Sequence, residues 1–493
     1  MTARRIEPHG SLAADALRDG LAALAAELDL PTAFSAEVAA ELVDATPAGV
    51  PQMTGQLVGA AERIDATDLP LVTLDPAGSR DLDQAFAIEP RPDGTTLLHY
   101  AIADVAAHVP AGGAIERASL ERGATVYLPG RRIPLHPPEL SEGLASLLPG
   151  ETRLAVLWTL QFAADGHAIG DVEVRRATVR SRAQLDYASS QAALGAGTAH
   201  PQIVALAELG PRLEQAAVAR GAIELPEPAQ ELVGSDGDGW RLAWVPRLPL
   251  EGWNAQLSLA TGRAAAALMM RAGRGMLRTL PPAPPEAEVA MRAAALALGI
   301  RWAPEQSLPQ VLAGLSGATA GELAFFEQCR TLLRGAGYLV LDATPVLPQA
   351  AVHAAVAAPY AHVTAPLRRL GDRFATEAAL AAAAGVAVPE WAARVLPELP
   401  ALLTAAGRRS SAVGRGIVDL AEAVVLERRI GEQFDVAVVE VSEEGSEIQV
   451  DEPPVRARCT GTGLVAGQRA RAELTVADPG RRKVRFAALP ASS

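Results

Sequence analysis

Cysteine is almost missing from this chain of 493 residues: Cys329 and Cys459 are the only two. They lie far apart and no CxxC spacing occurs, which excludes a zinc ribbon, a redox pair and a disulfide-stapled scaffold. Two lone thiols suit a reducing compartment, so a cytoplasmic protein is expected. Lysine is scarcer still: Lys483 stands alone among 44 basic residues, and the rest are arginine. That bias is read as genomic base composition, although planar guanidinium forks also grip phosphate. Aromatic residues make up only 4%, so each one in a polar motif needs a reason. No stretch of ~20 apolar residues is present, so no membrane-spanning helix is expected. The opening MTARRIEPHGSLAADALRDG holds no apolar leader core. Basic residues are also outnumbered: 44 against 57 acids gives a net charge of −13. That balance argues against non-specific wrapping of nucleic acid but leaves room for a local basic channel.

What remains is an ordinary globular composition, 49% hydrophobic and 20% charged, which excludes a disordered or collagen-like chain. At ~150 residues per domain the length allows roughly three domains. Leu12, Leu17, Leu21, Leu24, Leu28, Val38 and Leu42 recur at helical spacing, broken at Pro31, and predict a short helical module. A linker rich in Pro, Gly and Thr, TPAGVPQMTGQ at 46–56, follows. Residues 70–183 read as strands and turns, with RLAVLWTLQF at 153–162 and DVEVRRATVR at 171–180 forming a hairpin. Residues 186–430 read as chiefly helical, with candidates at 254–278, 319–335 and 367–385. The proline run at 281–285 stops the first of these. From 434 onward, short strands between Gly and Pro turns predict a small barrel of the oligonucleotide-binding type. Its 9 acids and 8 bases nearly cancel, so RNA binding and plain packing are both open roles for it.

The sharpest local signal is TLDPAGSRDLDQA, with Asp75, Asp81 and Asp83. Three carboxylates this close repel one another unless something neutralises them. Pro76 and Gly78 supply a turn that can fold Asp75 back toward the later pair. In an extended segment Asp81 and Asp83 share one face and Leu82 takes the other. Convergent oxygens suit a hard divalent cation such as Mg²⁺. A solvated acidic turn is the plain alternative. A calcium loop fails, because Ala77, Ser79 and Phe86 stand where an EF-hand needs its third, fifth and twelfth ligands.

The acidic motif opens a series. IADVAAHV (102–109), RGATVYLPGRRIPLHPPELSEGLASLLPGETR (122–153), RSRAQLDY (180–187), RGAIELPEP (220–228) and PYAHVTAPLRRLGD (359–372) follow in order. Together they resemble the ribonuclease II family, exoribonucleases with an RNB catalytic domain, over roughly 70–430. The family's Asp-x5-Asp-x-Asp-Asp-Ala signature is here Asp75, Asp81, Asp83, Gln84, Ala85. The resemblance implies an α+β fold. A helical amino-terminal module and linker would occupy 1–68, an RNB catalytic domain of mixed sheet and helices 69–430, and an OB-like β-barrel 431–493. It also implies Mg²⁺-dependent hydrolysis of single-stranded RNA from the 3′ end, releasing nucleoside 5′-monophosphates. No organic cofactor and no membrane partner are expected, and a monomer is. Asp75, Asp81 and Asp83 match metal-site positions, and Asp83 matches the aspartate essential for cleavage. Arg368 matches the arginine that clamps the scissile phosphate, where a fork can take two oxygens at once. Tyr127 matches the aromatic that stacks on the terminal base without sequence preference. Tyr187 and Arg369 fall at further substrate-binding positions.

The match has gaps. Gln84 replaces the usual fourth aspartate, so a ligand oxygen remains but a charge is lost. Ala365 and Leu370 stand where Ser and Tyr are favoured, and Phe374, Ala375 and Thr376 replace a later His-Arg pair. Arg415 falls at about the place of a glutamate in the helix before the barrel. The stretch before the catalytic block is too short for the family's two cold-shock barrels. A non-catalytic RNA-binding relative, and an endoribonuclease or RNA-processing enzyme with the same metal chemistry, therefore stand as alternatives.

Overall fold

A computed structural model describes residues 11–44, 63–226, 228–235, 239–284, 286–343, 348–442 and 445–490. The expected linker at 46–56 lies outside the described residues. The chain opens with helices α1 (Ser11–Glu27) and α2 (Ala36–Asp44), as the leucine spacing predicts. Strands β1 (Ile64–Ala66), β2 (Val72–Asp75), β3 (Gln84–Pro90) and β4 (Thr96–Ala103) follow. Helix α3 (Ala114–Arg122) leads into a small hairpin, β5 (Val126–Leu128) and β6 (Arg131–Ile133). Next come the long pair β7 (Thr152–Phe162) and β8 (Ala168–Arg180), then β9 (Ala183–Asp186). These strands, without the hairpin, form one seven-stranded sheet in the order β1-β8-β7-β4-β3-β2-β9. Its outermost pairings, β1 with β8 and β2 with β9, are parallel, and the rest are antiparallel. Residues 64–66, read from sequence as linker, thus belong to the sheet edge.

Strand alternation divides the sheet's side chains by size. Phe86, Ile88, Leu98, Tyr100, Ile102, Val156, Trp158 and Leu160 enter one core. There they meet α5 (Pro201–Arg220), α6 (Pro249–Ala272) and α10 (Leu370–Ala384). Ala85, Ala87, Ala101, Ala103 and Ala155 face the other way. That small-residue face packs on Val38, Ile115, Leu140 and Leu147, and on Leu82 and Leu367 from the site loops. Both faces are buried, so the strands read as nearly continuous apolar runs.

Between α4 (Tyr187–Gly195) and α10 lie α7 (Glu286–Ala297), α8 (Leu308–Leu312) and α9 (Ala320–Arg330), with α5 and α6 before them. This half is less helical than its composition predicts. It holds the hairpins β10 (Ala229–Ser235) with β11 (Gly239–Val245), and β12 (Arg274–Thr279) with β13 (Gly337–Asp342). A further short pair is β14 (Val352–His353) with β15 (Ala358–Pro359). The helix expected over 254–278 ends at Ala272, because Gly273 at φ 62° caps it and Gly275 at φ 131° starts the return strand. Helix α11 (Glu390–Val395) leads to the 28-residue α12 (Leu399–Leu426). Beyond it, β16 (Gln433–Ser442), β17 (Gly445–Val450), β18 (Val455–Thr460), β19 (Arg469–Asp478) and β20 (Lys483–Ala488) close into a barrel. Val436, Val438, Ile448, Leu474 and Phe486 fill it. Among the described residues no helix is long and apolar enough to cross a membrane.

The amino-terminal helices are docked onto the rest. A Cβ on Gly20 would come within 2.6 Å of the Leu420 side chain, and one on Gly416 within 2.7 Å of Leu24. The missing side chains let α1 and α12 approach closely. Ala25, Leu30 and Val413 then share a small core with Val126, Leu128 and Ile133 of the β5–β6 hairpin.

Candidate active site

The acidic motif falls in the connection between β2 and β3. Leu82 is fully buried, and its N–H donates to Ser146 Oγ at 3.0 Å, while Leu147 N–H donates to the Leu82 carbonyl at 3.0 Å. With Leu82 pinned inward, alternation turns Asp81 and Asp83 to the opposite face. Asp75 ends β2, the strand beside β3 in the sheet.

A second loop, 364–369, closes on this face from the other end of the chain. Ala365 N–H donates to Asp372 Oδ2 at 2.7 Å, which caps the loop onto α10. Leu367 N–H donates to Asp83 Oδ1 at 2.7 Å, and Arg368 Nε donates to Asp83 Oδ2 at 3.1 Å. Asp83 is buried, whereas the Arg368 side chain is 47% exposed. One face of the guanidinium is therefore held and the rest is open to an incoming anion. Burial pushes the Asp83 carboxyl up to about 7, against the pull of Arg368 and the Leu367 N–H; Asp81 adds to the rise. Asp75 is likewise pushed up to about 7 by burial, with Arg368 opposing and Asp81 assisting. Burial acts to lower the Arg368 pKa, but Asp83, Tyr127, Asp81 and Asp372 together raise it.

The β5–β6 hairpin forms the third wall. Its turn at Pro129 and Gly130 sets Tyr127 opposite Arg132. Val126, Leu128 and Ile133 point into the core, so Tyr127 and Arg132 point out. The Tyr127 hydroxyl donates to Asp81 Oδ2 at 3.2 Å, and its side chain is 49% exposed. Arg132 Nη1 donates to Asp81 Oδ1 at 2.9 Å. The structure thus gathers Asp75, Asp81, Asp83, Arg368 and Tyr127 on one face. Tyr187 stands close enough for Asp75 to raise its hydroxyl, which burial chiefly pushes up to about 12. That hydroxyl accepts from Asn254 Nδ2 at 2.8 Å. Arg369 does not join the group. Its Nη2 is spent on Asp372 Oδ2 at 2.8 Å and on Thr364 Oγ1 at 3.3 Å.

Gln84 is not an open ligand. Its Nε2 donates to the Thr364 carbonyl at 2.6 Å and its Oε1 accepts from the Tyr100 hydroxyl at 2.8 Å. The amide thereby ties β3 to the Arg368 loop. On α12, Arg415 is exposed. Glu422, a turn or two further on, is buried at the joint with the barrel and accepts from Gln230 Nε2 at 2.6 Å and Arg456 N–H at 2.7 Å.

Sequence reading passed over Arg132 and Glu142. The Pro-Gly turn after VYL was the available signal for Arg132, since a two-residue turn places it across from Tyr127. Glu142 had none, because its approach to Arg132 at 2.6 Å depends on how the 134–147 segment packs.

Among the described residues no three His, Cys, Asp or Glu side chains converge closely enough to hold a metal ion. The donor set still fits an open divalent site. Mg²⁺ commonly takes one or two protein carboxylates and completes its shell with waters and substrate phosphate. The Asp75 carboxylate receives no hydrogen bond from any described residue, while those of Asp81 and Asp83 accept theirs from arginine, tyrosine and backbone.

Residues 63–380 match the RNB domain family, and residues 432–489 match the RNase II-type exonuclease C-terminal S1 domain. The chain is 41% identical over 126 residues to Exoribonuclease 2 of Erwinia tasmaniensis, which covers 26% of this chain and 20% of that protein. It is 35% identical over 147 residues to Exoribonuclease 2 of Vibrio vulnificus, covering 30% of this chain and 22% of that one. The matched stretches therefore span only about a fifth of those curated relatives. The fold is similar to that of Mycoplasma genitalium RNase R in complex with ribose-methylated single-stranded RNA, at a TM-score of 0.84 and 19% identity. That match covers 96% of this chain and 78% of the other.

Proposed function

The chain belongs to the RNB-domain family, and from that premise we propose that it is a hydrolytic 3′-to-5′ exoribonuclease acting on single-stranded RNA with Mg²⁺, releasing nucleoside 5′-monophosphates. The observation that carries this reading is the meeting of Arg368 with Asp83 at 3.1 Å, inside a face that also holds Asp75, Asp81 and Tyr127. Each group has a part that its setting suits. The exposed edge of Arg368 can take two phosphate oxygens and stabilise charge developing on phosphorus. Asp83 fixes that guanidinium through Nε and the loop through Leu367 N–H. The exposed ring of Tyr127 offers a platform to the terminal base, and stacking serves every base alike. Asp75, with Asp81 or Asp83, would hold the cation, which when bound supplies a polarised water and a counter-charge for the phosphate. A resident RNA would be steered by these few cations, since the whole chain is acidic.

One observation favours a second reading, a non-catalytic RNA-binding relative. The position of the fourth acid is filled by Gln84, whose amide is already committed to Tyr100 and Thr364. A 5′-labelled single-stranded oligoribonucleotide separates the two. The exoribonuclease reading expects a ladder shortened from the 3′ end with Mg²⁺, none with chelator, and one slowed roughly 10²–10³-fold by Asp83→Asn. Intact RNA that is nevertheless bound would establish the second reading. Internal cuts in a circular RNA would establish an endonuclease.

A further inference from the structure

Arg132 bridges two carboxylates. Nη1 lies 2.9 Å from Asp81 Oδ1 and Nη2 lies 2.6 Å from Glu142 Oε1. The pairs are sheltered, with side-chain exposures of 26% for Arg132, 12% for Asp81 and 18% for Glu142. With Tyr127 on its other oxygen, Asp81 has both oxygens engaged, whereas the Asp75 carboxylate receives no hydrogen bond from any described residue. A charge-assisted fork in a sheltered place is strong, but it is exchangeable for another oxyanion of the same geometry. The backbone beneath it cannot follow, because Val126, Leu128 and Ile133 anchor the hairpin against Ala25, Leu30 and Val413. Only the side chain can swing.

We propose that Arg132 is a displaceable counter-charge: it withholds Asp81 from a divalent cation in the free protein and releases it when an RNA phosphate draws the guanidinium away. The proposal rests on the exoribonuclease reading above. It makes cation binding at Asp81 dependent on RNA, so the site is completed only with substrate in place. Arg132 acts through Asp81 and is a positioning residue.

The test is direct Mn²⁺ binding to the full chain, read by electron paramagnetic resonance, with and without a 2′-O-methyl oligoribonucleotide that is bound but not cleaved. Without RNA, Arg132→Met is expected to bind Mn²⁺ roughly tenfold more tightly than the wild type, within the usual range of coupling between sites. RNA should tighten the wild type by a similar factor beyond what it does for Arg132→Met, because the RNA's own phosphate oxygens complete the cation's shell in both. Glu142→Gln leaves Arg132 wholly on Asp81 and should weaken Mn²⁺ binding without RNA. The gain from Arg132→Met should vanish in an Asp81→Asn background. A gain that persists there would reveal only the general field of a removed charge and would overturn the proposal, as would equal Mn²⁺ affinity in wild type and Arg132→Met. No Mn²⁺ binding by the wild type, with or without RNA, would bring down the exoribonuclease reading as well. If Arg132→Met does not fold, Arg132→Lys keeps the charge and loses the fork. It should then show part of the gain, and wild-type affinity in that variant would again overturn the proposal.

Discussion

Asp83 spends both carboxylate oxygens on one loop, one on Leu367 N–H and one on Arg368 Nε. An asparagine there can still accept from the backbone but no longer holds the guanidinium by charge. Asp83→Asn is therefore expected to fold normally and to lose roughly 10²–10³-fold in cleavage rate, the usual scale for one electrostatic contact in the transition state. A single-turnover assay on labelled RNA reads it. Tyr127→Ala removes the stacking platform but no charge. It should leave cleavage in place while lengthening or blurring the end product, at a cost of about 1–3 kcal/mol in binding of that base. An unchanged end-product length would take Tyr127 out of that role. Asp75 and Asp83 share a pH signature. Both carboxyls are raised to about 7 in the folded chain, so their charged forms are disfavoured there. Their penalty is absent below about pH 4, the unfolded value, grows as pH rises, and is complete above about 7. With chelator, the melting temperature of the wild type should therefore gain on that of an Asp75→Asn, Asp83→Asn double variant as pH falls from about 8 to 5. A divalent cation competes with those protons, so its stabilising effect should shrink over the same fall.

At the scale of elements, the junction of α1, α12 and the β5–β6 hairpin decides how firmly Tyr127 and Arg132 are presented. A Cβ on Gly416 would meet a methyl of buried Leu24 at 2.7 Å, so Leu24 must shift to admit any side chain there. Gly416→Val should separate the two helices and destabilise the protein by about 1–3 kcal/mol, the common cost of overpacking. Denaturant melts measure that. Because the hairpin shares its small core with α1, the same variant should also alter the end-product length as Tyr127→Ala does. Arg122 reinforces the junction, donating to the carbonyls of Pro31, Ala33 and Pro134. Legibility varied by element. The hairpin of β7 and β8 was plain because a nearly continuous apolar run and a valine-rich run flank the polar turn AADGHAIG. The end of α6 was not, since Met269, Met276 and Leu277 satisfy a helix or a strand equally. Gly273 and Gly275 decide between them through backbone angles that a pattern of apolar residues does not register.

At the scale of the whole molecule, a line of buried charges holds the sheet to α10. Arg176 on β8 pairs with Asp104 and with Glu377, Arg63 pairs with Asp104, and Arg373 pairs with Glu116. Burial would raise the Asp104 carboxyl, but Arg176 and Arg63 overcome it and lower it to about 2. A depressed carboxylate stabilises the fold above its unfolded pKa and loses that contribution as pH falls from about 4 toward 2. Arg176→Met leaves Asp104 and Glu377 buried and under-compensated. It should cost roughly 3–5 kcal/mol, seen as a lowered denaturation midpoint. Since Arg373 and Asp372 belong to the same helix as this network, loosening it should also relax the loop that carries Arg368.

The alternation of Asp81, Leu82 and Asp83 follows from the residues alone, because one buried leucine orients its two neighbours whatever the surrounding fold. So do the hairpin of β7 and β8, the short strands of the barrel and the helical lead-in, each written in local spacing of apolar residues and turn residues. The partners of those carboxylates do not follow. Arg368 reaches Asp83 across 285 positions, Arg132 reaches Asp81 across 51, and Arg369 turns instead to Asp372, three residues away. Charges of equal type at these positions are equivalent until packing sets the distances between them. The reach and geometry of a side chain are local properties, but which ion it meets depends on how the sheet, the hairpin and the α10 loop close on one another.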